Sequence, residues 1–167
     1  YDADGLLDVF VTGGGTFESS RIVGQGNRLF RNRGDWKFED VTAKRTERPG
    51  FYSHGCAVTD FNRDGRPDLL VTGFGRLTLY RNDQGVFTDV TKDAKLSDFP
   101  WTTSAAFGDL DGDGWPDLYI CQYVKWSFET NPKCPIAGKP GTQDVCPPQR
   151  FEPLPHVLYR NNRDGTF

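Results

Sequence analysis

The sequence has no apolar run approaching the roughly 18 residues that a membrane-spanning helix requires, so no helical membrane span is expected. It has no basic stripe either. Twenty Lys and Arg against 23 Asp and Glu leave a net charge of −3, and nucleic acid is therefore not an expected partner. Stretches of helical period are scarce. The two histidines, His54 and His156, occur singly, without a recurring acidic or cysteine partner. There is no Ser-His-Asp order, no phosphate-cradling glycine loop and no zinc spacing, so no catalytic constellation is visible and the chain is not read as an enzyme. What is present is Gly, Asn, Asp and Thr in abundance, with frequent Phe and Tyr. That mixture fits an all-β protein rich in turns, with 167 residues to build a core.

An internal repeat organises the chain. Asp60-Phe-Asn-Arg-Asp-Gly-Arg-Pro-Asp68 and the following Leu-Leu-Val-Thr match Asp109-Leu-Asp-Gly-Asp-Gly-Trp-Pro-Asp117 and Leu-Tyr-Ile-Cys. The chain opens on the same pattern without its first position, Asp2-Ala-Asp-Gly-Leu-Leu-Asp8. A second signature follows each loop: Leu29-Phe-Arg-Asn32, Leu79-Tyr-Arg-Asn82 and Leu158-Tyr-Arg-Asn161. Then come Phe38-Glu-Asp-Val-Thr42 and Phe87-Thr-Asp-Val-Thr91, while the third copy reaches Phe167. Each unit reads as four short strands; in the second they are His54–Thr59, Leu69–Thr72, Leu77–Arg81 and Val86–Thr91. Such a unit repeated radially is a propeller blade. The expected divisions are a first blade at 1–48, a second at 49–98 and a third at 99–167. A repeating β-sandwich is the alternative, although sandwiches do not usually repeat a loop and a hairpin at matching positions. Three incomplete units cannot close a ring, so further blades or partner chains are expected, truncation being the preferred account.

The loop spacing Asp-x-(Asp/Asn)-x-Asp-Gly-x-x-Asp suits calcium, which takes six to eight hard oxygen ligands. Positions 1, 3 and 5 turn carboxylates into one concavity, Gly at position 6 permits the sharp turn, position 7 offers a backbone carbonyl, and Asp at position 9 closes the site. The expected ligands of the third loop are Asp109, Asp111, Asp113, the Trp115 carbonyl and Asp117. Those of the second are Asp60, Asn62, Asp64, the Arg66 carbonyl and Asp68; those of the first are Asp2, Asp4, the Leu6 carbonyl and Asp8. An EF-hand needs a bidentate Glu at position 12, where this chain has Val71 or Ile120. Plain polar turns are the bland alternative, but clustered carboxylates repel one another without a cation, and the pattern recurs. Magnesium fits an all-protein cage poorly. The expected role of calcium, one ion per loop, is structural, and calcium sites of extracellular affinity would stand empty in a cytosol.

Arg31, Arg81 and Arg160 recur, and a structural pairing of Arg31 with Asp40 and Arg81 with Asp89 is expected in preference to ligand binding. The Asn after each suits a turn. The unit lengths differ between strands two and three, placing insertions at 13–26 and 122–156. In an antiparallel unit these lie on the rim opposite the calcium loops. That rim is expected to gather Phe51, Tyr52, Phe99, Trp101, Tyr123, Trp126 and Phe128, either as a recognition surface or as a cover for the blade ends. Cys134 and Cys146 bracket a Pro/Gly-rich stretch, where a disulfide would supply about 3 kcal/mol of loop constraint and fit an oxidising compartment. Cys56 and Cys121 read as free, buried strand thiols.

Phe107-Gly-Asp-Leu-Asp-Gly-Asp-Gly-Trp-Pro-Asp-Leu118, together with Leu158-Tyr-Arg-Asn-Asn-Arg-Asp-Gly-Thr-Phe167, resembles the FG-GAP/VCBS repeat. With Phe-Thr-Asp-Val-Thr at 87–91, the chain is similar to the family of cartilage acidic protein and its bacterial UnbV-like (ASPIC) relatives. Trp36, where a small turn residue is usual, and a shorter second hairpin turn depart from the pattern, and neither touches a calcium position. The resemblance implies an integrin-α-type propeller, often seven-bladed, with calcium in the loops between the first and second strands. It also implies secretion or surface display. The expected function is a non-enzymatic module binding a protein or glycan through the insertion rim. The alternatives are part of a polysaccharide-acting enzyme and a structural subunit of a larger extracytoplasmic assembly.

Overall fold

The computed structural model describes residues 1–45 and 50–167. The expected division between 48 and 49 lies outside the described residues. The middle of the chain forms a four-stranded sheet of β6 (Tyr52–Thr59), β7 (Asp68–Phe74), β8 (Leu77–Asp83) and β9 (Val86–Asp89), every neighbouring pair antiparallel and in sequence order. Before it, β1 (Val9–Val11), β4 (Arg28–Asn32) and β5 (Phe38–Asp40) make a three-stranded sheet, with the hairpin β2 (Gly15–Glu18) and β3 (Arg21–Gly24) projecting between β1 and β4. After it come β10 (Thr102–Gly108), β11 (Asp117–Gln122) and β12 (Val157–Tyr159). A short helix, α1 (Thr42–Arg45), follows β5, and a 3-10 turn lies at Pro148–Arg150.

The middle sheet is covered on both faces because its strands are apolar on both. Leu69, Val71, Tyr80 and Phe87 pack against Leu29 and Val41, with Phe10 and Tyr1 at the margin. From the other face, Leu70, Leu77 and Leu79 pack against Leu118 and Ile120, with Phe107, Tyr159 and Phe167 partly buried beside them. The outer faces show the same repeat positions without a neighbour. Val9 and Val11, which correspond to Leu69 and Val71, are 42% and 46% exposed. Leu158, the counterpart of the fully buried Leu79, is 58% exposed.

Backbone bridges stitch adjacent sheets at the end away from the Asp-rich loops. Gly14 bridges Ser53, and Phe74 bridges Trp101 in the next pair. At Gly24 a Cβ would lie 2.2 Å from the Phe51 carbonyl carbon, and at Gly73 it would lie 2.3 Å from the Tyr52 oxygen. Only glycine lets these backbones approach so closely.

Candidate functional site

The three loops share one local hydrogen-bond plan. In the second, Asp60 accepts the backbone N–H groups of Asp64 and Gly65 at 3.0 and 2.8 Å, and Asp64 accepts that of Arg66 at 3.0 Å. The third repeats it: Asp109 accepts from Asp113 and Gly114 at 3.0 and 2.9 Å, and Asp113 from Trp115 at 2.8 Å. In the first, Asp4 accepts the Leu6 N–H at 2.9 Å. The glycines at position 6, Gly5, Gly65 and Gly114, have φ of 85°, 85° and 86°. A side chain there would be strained.

The ninth-position Asp ties each loop to the sheet. Asp68 accepts from Phe61 N–H and Asn82 N–H at 3.1 and 2.8 Å; Asp117 accepts from Leu110 N–H and Asn161 N–H at 3.1 and 2.8 Å. Asp8 takes the Asn32 N–H and the Tyr1 amine in the same way. Asp68 is almost fully buried, and burial pushes its pKa from 3.8 up to about 6. The two N–H groups work against that rise, while Asp64 and Asp60 add to it. Asp113, by contrast, is held below the ordinary carboxylate range by the Trp115 N–H and by Arg163.

A family described as the FG-GAP-like repeat matches residues 1–71 and again 60–120. The chain belongs to the FG-GAP-like repeat family. It is also similar to cartilage acidic protein 1 of Xenopus tropicalis, with 37% identity over 94 residues, which is 52% of this chain and 14% of that protein. The chain thus spans a small part of its curated relative's length.

Among the described residues, the third FG-GAP loop brings carboxylates together most closely: one oxygen each from Asp109, Asp111 and Asp117 lies within 4.8 Å of the others. An all-oxygen, multiply anionic donor set of that compactness fits a hard divalent cation. Asp113 is drawn toward Arg163 at 2.7 Å. In the first loop Asp2 and Asp4 face Arg31. In the second, Asn62 contributes an amide and Asp64 is paired with Arg66 at 2.7 Å.

The recurring arginines do not reach the carboxylates expected of them. Arg28 pairs with Asp40 and Arg76 with Asp89, while Arg31 goes to the loop and Arg81 to Asp83. Register explains the correction. Asp40 lies opposite Phe30 and Asp89 opposite Tyr80, one residue away from each arginine, so arginine and aspartate occupy opposite sheet faces. The two aspartates instead hold the next threonine: Asp40 binds Thr42 and Asp89 binds Thr91 through both N–H and hydroxyl. Those hydroxyls accept the Leu29 and Leu79 N–H groups, each at 2.9 Å.

The asparagine of each FG-GAP hairpin does far more than turn the chain. Asn82 Nδ2 donates to the carbonyls of Pro67 and Tyr1 at 3.0 and 2.8 Å, and its Oδ1 accepts the Gly85 N–H. Asn161 Nδ2 donates to Pro116 and Phe61 carbonyls at 3.1 and 3.0 Å, and its Oδ1 accepts the Arg163 N–H. Tyr1 and Phe61 hold the same place, position 2 of the preceding loop, so Asn82 and Asn161 each link their own loop to that of the neighbouring sheet. Asn32 Nδ2 donates to the Leu7 carbonyl of its own loop. The asparagine's invariance across the three signatures was the available signal.

The opposite rim carries an aromatic cluster, with changed membership. Tyr52, Trp101, Tyr123, Trp126 and Phe128 are there, joined by Phe17, Phe74 and His54. Phe51 and Phe99 are not: Phe51 is buried between the first two sheets and Phe99 packs edge-on to Tyr159. Trp101 Nε1 donates to His54 Nε2 at 3.0 Å, and burial lowers the His54 pKa. A groove of about 610 Å³ opens here between Phe17, Tyr123, Trp126 and the segment around Lys133 and Asp144. The Cys134–Cys146 disulfide crosses that segment. Cys56 and Cys121 are free, but Cys56 is exposed and Cys121 half-buried. Cys56 and Val58 lie on one face of β6, opposite Val71 and Leu69, and both are exposed there.

Proposed function

We propose that this chain forms three consecutive blades of a calcium-stabilised β-propeller that acts outside the cytoplasm as a binding module. The ring would hold about seven blades, closed by further blades or by partner chains. The repeat positions that are buried wherever a neighbouring sheet exists, and exposed on the two outer faces, support this reading. The residues that would hold calcium are Asp109, Asp111, Asp113, Asp117 and the Trp115 carbonyl in the third loop, with their counterparts in the other two. Bound calcium would supply the positive charge that lets several carboxylates converge, and the chain's own N–H groups and asparagines tie each loop to its sheet and its neighbour.

The observation that carries the binding role is the aromatic groove on the rim opposite the loops. A protein or glycan ligand would meet aromatic rings there beside polar groups on adaptable segments. The groove would be read apart from the metal sites, leaving calcium a structural role and the chain no catalytic one. The full-length protein should be screened against arrays of glycans and surface proteins, beside a variant in which 122–156 is replaced by a short turn. Loss of binding in that variant is expected. Binding that survives the replacement, and survives Trp126→Ala, would remove this rim from consideration.

A further inference from the structure

The recurring arginine sits on the loop carboxylates in two repeats of three. Arg31 Nε lies 2.7 Å from Asp2 Oδ2, and its Nη2 lies 3.2 Å from Asp4 Oδ2. Arg160 Nη2 lies 2.7 Å from Asp111 Oδ2 and 3.8 Å from Asp113 Oδ2. The contacted positions are the same, third and fifth in the loop. The second repeat differs: Arg81 forks onto Asp83 with N···O distances of 2.8 and 3.1 Å and leaves the loop alone. There the third position is Asn62, a neutral amide. The arginine thus goes to the loop where position 3 is charged, and elsewhere where it is not.

These two positions supply carboxylates to the proposed cation site. An oxygen engaged by guanidinium is less available to a metal, and the fixed positive charge opposes an incoming divalent ion. Resting on the calcium reading above, we propose that Arg31 and Arg160 are built-in counter-ions that compete with calcium for the first and third loops. They keep the loop carboxylates neutralised when calcium is absent and hold calcium affinity below what the carboxylates alone would give. Arg163 adds to this in the third loop through Asp113. The second loop carries no such latch from its hairpin arginine; its own Arg66 covers Asp64 instead. An arginine that merely orients the carboxylates for the ion would act in the opposite direction, since its removal would weaken binding.

The test uses the full-length protein with Arg160→Gln, a substitution at a side chain that is 67% exposed and outside the core. Trp115 belongs to the third loop, so terbium luminescence sensitised through it reports that loop, with Trp115→Phe identifying the signal. Calcium then competes the terbium away. The expected result is a terbium and calcium affinity tighter by about two- to fivefold, the scale of an exposed ion pair, with Arg160→Lys in between. The melting temperature without calcium should fall, while that at saturating calcium should not. Unchanged or weakened affinity in Arg160→Gln, with a normal calcium response in the parent, would overturn the counter-ion role alone. A parent protein showing neither Trp115-dependent luminescence nor any response to calcium would overturn the calcium reading and this inference with it.

Discussion

Replacing Asn82 by alanine tests the link between neighbouring sheets. The side chain is fully buried, donates to the carbonyls of Tyr1 and Pro67, and accepts the Gly85 N–H. Alanine removes three hydrogen bonds and strands three backbone groups in a place water reaches poorly. At about 1 kcal/mol per bond, plus part of the desolvation cost of the orphaned groups, the loss should be about 3–4 kcal/mol. For a unit of this size that is a fall of roughly 10 °C in melting temperature. Asn162, the adjacent residue, is exposed and bonds only Thr166 Oγ1 at 3.0 Å among its side-chain contacts, so Asn162→Ala should cost under about 0.5 kcal/mol. Urea unfolding of both variants beside the parent measures the difference. A loss below about 1 kcal/mol for Asn82→Ala, or one equal to that of Asn162→Ala, would show that the asparagine is not the link the hydrogen bonds depict.

Two further outcomes are expected. Because burial raises Asp68 to about 6, the folded metal-free protein binds a proton there that the unfolded chain releases, so acidification from pH 7 to 5 should stabilise it. Over that interval the gain is about 1.3 kcal/mol. His54, whose lowered pKa acts in the opposite sense, makes Asp68→Asn the necessary comparison. If the difference between parent and Asp68→Asn in a chelating buffer does not change over that interval, the reasoning fails. Reducing Cys134–Cys146 should free the surrounding insertion to limited proteolysis while leaving the three sheets folded, since those cysteines lie outside every named strand. Loss of the main unfolding transition on reduction would contradict that division.

The elements most legible in the sequence were those with two independent signals. Leu69–Thr72 and Leu77–Arg81 lie wholly within β7 and β8, where a dense apolar run coincides with a repeated loop before it and a repeated turn after it. The expected disulfide was legible because its cysteines bracket a segment too rich in Pro and Gly to order itself. Side-chain partners were less so. Pairing Arg81 with Asp89 required the strand register to one residue, and a slip of one reverses the face. Phe51 looked like a rim residue by sequence position, but the close backbone approach permitted by Gly24 and Gly73 draws it between sheets. Phe74, two residues beyond the expected end of its strand, extends β7 into the aromatic cluster. The asparagine's second carbonyl could not be read at all, because the preceding sheet supplies it and sequence spacing within one unit does not reveal it.

The most direct measurement is the melting temperature of the full-length protein with and without a calcium chelator, followed by calcium add-back. At millimolar calcium and a dissociation constant of about 10⁻⁴ M, each loop contributes about 1.4 kcal/mol and three independent loops about 4 kcal/mol. A calcium-stabilised propeller predicts a marked fall on chelation that calcium restores and magnesium does not. A melting temperature indifferent to the chelator would contradict it.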